Sequence, residues 1–199
     1  MENNYDVYLN YLQKNLDKKR FYHSINVAKE SYKLAEKYGY NKDKAYLSGL
    51  LHDVCKNESE EKMLKMFKEF GIILDDIQKS QYKLWHAVLG ARFIQQEFSI
   101  EDKEIIDAIR YHTTGRANMT KLDKILYLAD FISADRDFDG VDYLREFAYF
   151  NLDTAVFECL KFSINELCSM SKPIHTDTLD GYNHLLIKKM RLNNCTLLL

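Results

Sequence analysis

A single proline, Pro173, stands in a chain of 199 residues. Proline removes a backbone N–H and collides with the preceding turn, so a chain almost free of it can be helical nearly throughout. No sustained apolar–polar alternation competes with that reading, and the expected fold class is an all-α, single-domain helical bundle. The remaining punctuation divides the chain. A first helix is expected over about 3–18 and a second over about 20–38, stopped by Gly39. Asn41 caps a third that runs to about 57. Ser59, followed by Glu60 and Glu61, opens a fourth that Gly71 ends, and a fifth covers about 80–98. Ser99 with Asp102 reads as a capping box for a sixth, ended by Thr113-Thr114-Gly115; Thr120 with Asp123 opens a seventh in the same way. After an irregular stretch near 134–141, helices of about 142–150, 153–170 and 180–192 complete the chain. No repeat, low-complexity tract or linker is visible, so 1–199 reads as one domain.

Composition narrows the function classes. Hydrophobic residues make up 46% of the chain and charged ones 29%, enough for a hydrophobic core without disulfides or structural metals. A net charge of −2 and the lack of a basic stripe interleaved with aromatics argue against nucleic acid and anionic membrane as partners. A local basic pocket stays compatible with that charge. No apolar run reaches membrane-spanning length, and the opening MENNYDVYLNYL lacks the order of a signal peptide, so a cytoplasmic location is expected. Cys55, Cys159, Cys168 and Cys195 form no C-x-x-C pair and read as reduced, packed thiols without a role.

The chemistry-bearing residues sit at helical positions. In the third helix Leu47, Leu50, Leu51 and Val54 follow the spacing of a buried stripe, while His52, Asp53 and Lys56 cluster on the other side around Gly49. Gly49 would leave room there for a ligand; a solvated polar face is the competing account. From Ile125 to Ile132 the sequence is apolar on every side except Asp130. A helix of that kind is buried, and a lone buried carboxylate needs a cation, an arginine or strong hydrogen bonds. His112 continues the stripe of Ile105, Ala108 and Ile109, His86 lies in line with Tyr82, Leu89 and Phe93, and His23 shares a face with Val27 and Leu34. Singly, each is an ordinary core histidine. Four inward histidines and two carboxylates together form a donor set suited to Mn, Fe, Co or Zn. His175 follows the proline in a loop, facing substrate or solvent, and His184 reads as structural or superficial.

Five blocks occur in order: R-F-Y-H at 20–23, L-L-H-D-V-C-K at 50–56, W-H-A at 85–87, Y-H-T-T-G at 111–115 and Y-L-A-D at 127–130, the last running on to Arg136. Together they resemble the HD-domain superfamily, and within it the YqeK-type branch of symmetrical diadenosine tetraphosphate hydrolases, over roughly 17–185. The resemblance implies an HD metallohydrolase core over about 17–135, with C-terminal helices of about 142–192 packed on it. It also implies a buried pair of transition-metal ions, commonly iron. By position, His23, His52, Asp53 and Asp130 would hold one metal; His86 and His112 would hold the second, with Asp53 bridging. Two divalent ions facing two carboxylates leave excess positive charge, which suits a polyphosphate.

No phosphate-binding glycine loop is present, so phosphates would rest on metals, side-chain cations and helix ends. Lys56, Arg136 and Arg20 are the candidate cations, each with a plain surface role as its alternative. Thr113, Thr114 and Gly115 offer hydroxyls or N–H groups beside His112, or merely stop a helix. The expected reaction is attack of a metal-activated hydroxide on diadenosine tetraphosphate, with Asp53, Lys56 and Arg136 as catalytic groups and two ADP as products. The substrate contacts expected are Arg20, His23, Lys56, His86, His112, Thr113, Thr114, Arg136 and His175. The expected partners are a dinucleoside polyphosphate substrate and ADP/GDP-type products. A nucleotidase, a guanosine alarmone hydrolase releasing pyrophosphate, or a slow nucleotide-binding sensor are the rival readings. The oligomeric state is left open, a homodimer included.

Overall fold

Side-chain caps set most helix boundaries. The computed structural model describes residues 5–196, with side chains as far as Arg191, and among these it contains eleven α-helices and no strand. They are α1 (Asp6–Asn15), α2 (Lys18–Lys37), α3 (Lys42–Leu51), α4 (Glu60–Glu69), α5 (Asp76–Ser80), α6 (Trp85–Phe98), α7 (Lys103–Tyr111), α8 (Lys121–Ile132), α9 (Val141–Ala148), α10 (Leu152–Ser169) and α11 (Thr176–Thr196). Asn41, Ser59 and Thr120 cap α3, α4 and α8 through their side chains, as the sequence predicts. Thr120 and Asp123 complete a reciprocal capping box.

Several boundaries differ from expectation, beginning with the first helix, which ends at Asn15 rather than near 18 because Asp17 caps α2. The third helix ends at Leu51 rather than near 57, and the chain from His52 to Asn57 runs on in tight turns. There Val54 N–H bonds Leu51 O at 3.1 Å and Lys56 N–H bonds Asp53 O at 2.9 Å, the i→i+3 pattern that tightens a chain. The expected fifth helix is divided: a capping box at Asp75 and Gln78 starts α5 early, and a 3-10 turn at Tyr82–Leu84 leads into α6. Trp85 Nε1 donates to Gln78 O at 2.6 Å and holds that bend. Ser99 does not cap the start of α7: it sits at φ 52 as the left-handed C-cap of α6, where Ile100 turns inward and its N–H reaches back to Ile94 O at 3.2 Å. Asp102 alone caps α7, whose last residue is Tyr111. The final helix starts at Thr176, ahead of the expected 180.

α8 is the hub. Leu122, Ile125, Leu126, Tyr127, Leu128, Ala129 and Ile132 are all buried, and α8 packs against α2, α3, α7, α9 and α10. A helix apolar all round finds partners on every side. α10 in turn carries α11, so the C-terminal hairpin lies against the same hub.

The most extensive helix pair is α2 with α3, and Gly49 makes it possible. A Cβ at Gly49 would stand 2.7 Å from Ala28 Cα and 2.9 Å from Ala28 N. The missing side chain therefore admits the backbone of α2 rather than a ligand, which corrects the sequence reading. Leu47 is only half-buried, although Leu50, Leu51 and Val54 are buried as expected. Among the thiols, Cys55 and Cys159 are buried and free, whereas Cys168 is exposed rather than packed. The side chain of Cys195 lies outside the described residues. No helix among the described residues is long and apolar enough to cross a membrane.

Gly49→Ala tests the close approach. Alanine normally strengthens a helix interior by roughly 0.5–1 kcal/mol over glycine. Here the clash with backbone should win, lowering stability by about 1–3 kcal/mol in urea denaturation. A raised unfolding midpoint would contradict the packing assigned to Gly49.

Candidate metal centre

Five helices and the turn after α3 deliver the candidate donors to one point. His23 comes from the first half of α2, His52 from the C-terminal end of α3, and Asp53 and Lys56 from the turns that follow. His86 is the second residue of α6, His112 closes α7, and Asp130 lies in the last turn of α8. The early end of α3 matters, because the tight turn sets Asp53 beside His52 inside the bundle instead of spreading them around a helix.

Asp53 is 2% exposed, and its two oxygens face different partners. Oδ1 lies 3.0 Å from His86 Nε2, 3.6 Å from His112 Nε2 and 3.5 Å from Lys56 Nζ. Oδ2 lies 3.6 Å from His52 Nε2, 3.9 Å from His23 Nε2 and 3.2 Å from Arg20 Nη1. Asp130 Oδ1 joins the second group, 3.0 Å from His23 Nε2 and 3.8 Å from His52 Nε2. His86 Nε2 stands 3.1 Å from His112 Nε2 and 3.0 Å from Lys56 Nζ. One carboxylate thus joins two clusters of nitrogen and oxygen donors.

The imidazoles are oriented from behind. Nδ1–H of His52 donates to Gly49 O at 2.7 Å, and that of His112 donates to Ile109 O at 2.7 Å. Nδ1–H of His23 donates to Asp135 Oδ2 at 2.8 Å. These bonds leave the Nε2 lone pairs of the three rings directed inward, the tautomer a metal ligand needs. His23 Nε2, His52 Nε2 and Asp53 Oδ1 are buried without a hydrogen-bond partner. Orphaned acceptors at such distances repel one another unless a cation lies among them. His23, His52 and Asp130 form one group whose donor atoms lie within 4.8 Å of each other, and His52, Asp53 and His112 form another. A set of imidazoles and carboxylates without thiolate fits a divalent transition-metal ion.

Electrostatics prepares the same state. Burial pulls the His52 imidazole down to about 3 and that of His86 down to about 4, outweighing the attraction of Asp53, so both rings are neutral at physiological pH. Burial also pushes His23 downward, but the negative charge of Asp130, 3.0 Å from its Nε2, more than compensates and its pKa is raised. Asp53 and Asp130 are desolvated too; the surrounding imidazoles, with Arg136 beside Asp130, nevertheless hold both well below the usual carboxylate range. Burial lowers the Lys56 ammonium.

Arg136 reaches Asp130 twice: Nη2 on Oδ1, and Nε on the backbone O at 2.7 Å. Arg20, Lys56 and Arg136 therefore all stand at the rim of the donor cluster. Thr113 and Thr114 line a neighbouring cavity of about 320 Å³ with Lys56 and His175. The Thr114 hydroxyl donates to Gly115 O at 2.9 Å, and Gly115, at φ 65, ends the turn after α7. His175 is buried, with both nitrogens engaged: Nε2–H on Asp75 Oδ2 at 3.1 Å, and Nδ1 accepting from Asp177 N–H at 3.2 Å. It serves the wall of the cavity as a clamp rather than as a free donor. His184 is half-buried on α11, away from the cluster's described contacts.

Asp135 went unnoticed in the sequence, as did Asn26, whose Nδ2 donates to Asp135 Oδ1 at 3.1 Å. The available signal was a second acidic residue just beyond Asp130, in I-S-A-D-R. Nothing local distinguishes it from a solvated loop residue.

An all-helical bundle enclosing four imidazoles and two carboxylates, with cations at the rim, defines a class of metal-dependent hydrolases. The HD domain profile matches residues 20–135, more than half of the sequence, and the chain belongs to the HD domain family of metal-dependent phosphohydrolases. It is 36% identical to the symmetrical bis(5'-nucleosyl)-tetraphosphatase of Halalkalibacterium halodurans, over 91% of this chain and 96% of the relative. It is 34% identical to the enzyme of the same name from Bacillus subtilis, over 87% of this chain and 93% of the relative. Among solved structures it resembles a predicted HD superfamily hydrolase involved in NAD metabolism from Clostridium acetobutylicum, with a TM-score of 0.89 and 34% identity, covering 92% of this chain and 97% of that one.

Asp135→Ala removes the acceptor that orients His23. Metal affinity should fall by roughly 10–100-fold, the usual effect of losing such a partner, as measured by metal titration. Unchanged affinity would show that His23 is held by packing alone.

Proposed function

We propose that this protein hydrolyses diadenosine tetraphosphate symmetrically to two ADP at a centre holding two divalent transition-metal ions, iron foremost. The observation that carries the reading is the division of Asp53, with Oδ1 toward His86 and His112 and Oδ2 toward His23 and His52. In this reading His23, His52, Asp53 and Asp130 would hold one ion, and Asp53, His86 and His112 the other. Bound there, divalent ions supply Lewis-acid polarisation of phosphoryl oxygens and acidify water. The names of the relatives support the substrate, and the charge balance agrees. Two divalent ions against Asp53 and Asp130, with Arg20, Lys56 and Arg136 alongside, make a strongly positive site that favours a polyphosphate.

The chain's own groups have distinct tasks. Asp135, Gly49 O and Ile109 O fix the three rings so that no reorganisation is needed during reaction. Lys56 and Arg136 hold phosphoryl oxygens and balance negative charge as it builds on the departing nucleotide. Arg20, one turn before His23, assists at the rim. ADP is itself a good leaving group, so no dedicated general acid is assigned. The reaction is cytoplasmic in this reading, consistent with the buried, free thiols of Cys55 and Cys159.

Two measurements test the proposal. Asp53→Ala should empty both metal positions, because its carboxylate serves both, whereas His86→Ala should mainly weaken one; metal analysis of the purified variants decides. Full metal content in Asp53→Ala would end the two-ion assignment. In oxygen-18 water, diadenosine tetraphosphate should give two ADP, one of them labelled at its terminal phosphate. AMP plus ATP would exclude symmetrical cleavage and point to a different HD-type specificity.

A further inference from the structure

Beside the metal centre lies the cavity of about 320 Å³, joined to it through Lys56, which borders the cavity while its Nζ stands 3.0 Å from His86 Nε2. One wall carries Phe131, next to Asp130 on α8, and Phe162 on α10. Both rings are half-buried, so the wall keeps apolar surface open. Phe162 is held in place by Phe131 and Phe138, with ring centroids 6.0 Å and 5.1 Å away. On the same helix Ser163 and Glu166 add a hydroxyl and an exposed carboxylate to the lining. The opposite side is fastened: Gln81 Nε2 donates to Pro173 O at 2.7 Å, and His175 bonds Asp75. These ties keep the start of α11 against the α5 segment, and with it the shape of the cavity.

We infer that this cavity takes one purine base of the substrate, stacked on Phe162, with its amino or imino hydrogens donated to Glu166. The inference rests on the proposed dinucleotide reaction, and it adds the residues that choose the base. A carboxylate would be misplaced among phosphates, which repel it. At the far end of a nucleotide it instead meets the N–H groups of adenine or guanine, as acidic side chains do with amino edges of bases. Aromatic stacking tolerates either purine, and Glu166 provides the polar selection. Lys56 borders the cavity on the side of the metal centre, so a phosphate chain engaged by Lys56 lets the attached nucleoside extend into the cavity, toward the exposed Glu166. Phe162, Ser163 and Glu166 all lie beyond residues 20–135, so base choice comes from the C-terminal hairpin rather than from the matched HD region.

The test is calorimetric titration of the metal-loaded, full-length protein with ADP, GDP, UDP and inorganic pyrophosphate. Phe162→Leu keeps apolar volume but removes the ring; ADP binding should weaken roughly ten-fold or more, with pyrophosphate binding unchanged. Glu166→Gln alters an exposed side chain and should reduce the preference for ADP and GDP over UDP several-fold. ADP binding unaffected by Phe162→Leu, equal weakening of ADP and pyrophosphate, or an unchanged base preference in Glu166→Gln would each overturn the assignment. The reaction fails separately: a wild-type protein that binds ADP through Phe162 but does not release two ADP from diadenosine tetraphosphate leaves the cavity assigned and the proposed reaction refuted.

Discussion

Asp53 is an ionised carboxylate almost wholly withdrawn from water, and such a group is tolerated only where opposite charge and hydrogen donors replace its hydration. Its position fixes much else. Arg20 and Lys56 bring opposite charge to its two oxygens, and histidines from α2, α3, α6 and α7 converge around it. In a close-packed helical bundle these demands leave little freedom in how the helices cross. The same burial that makes a lone carboxylate costly also keeps His52 and His86 neutral, with acceptor nitrogens ready for a cation.

The scaffold supports that arrangement through two features with no chemistry of their own. Gly49 lets α2 lie against α3 at backbone contact, which places His23 across from His52, with ring centroids 5.2 Å apart. The apolar α8 supplies Asp130 from a helix packed on all sides, so the carboxylate cannot relax away from His23. Behind the inward-facing donors, Asp135 and two backbone carbonyls hold three rings by Nδ1, the orientation that outer partners give to metal-binding histidines.

Beyond residues 20–135 the chain does more than complete the bundle. α10 packs on α8, and residues that touch α8, Phe162 among them, also line the cavity beside the centre. On the proposed reading, residues 20–135 supply the donors while the C-terminal hairpin contributes shape and polarity at the nucleoside end.

By itself, the sequence determined the all-helical class, the caps at Asn41, Ser59 and Thr120, and the inward direction of His23, His86 and His112. Each of these depends on residues within a turn or two, where hydrogen bonding and the 3.6-residue period act locally. Asp130 was legible for the same reason, as the one charged side chain in the apolar run from Ile125 to Ile132. Other features were settled only in three dimensions. Gly49 reads as room for a ligand until α2 is seen to fill it, and Ser99 reads as a cap until Ile100 is buried beyond it. The end of the third helix at Leu51, which brings both oxygens of Asp53 into play, has no breaker in the sequence to announce it. Asp135 and His175 acquire their roles from partners 112 and 100 positions away, His23 and Asp75. A side chain's own neighbours along the chain carry no trace of such contacts, because they exist only once the helices have packed and water has been excluded.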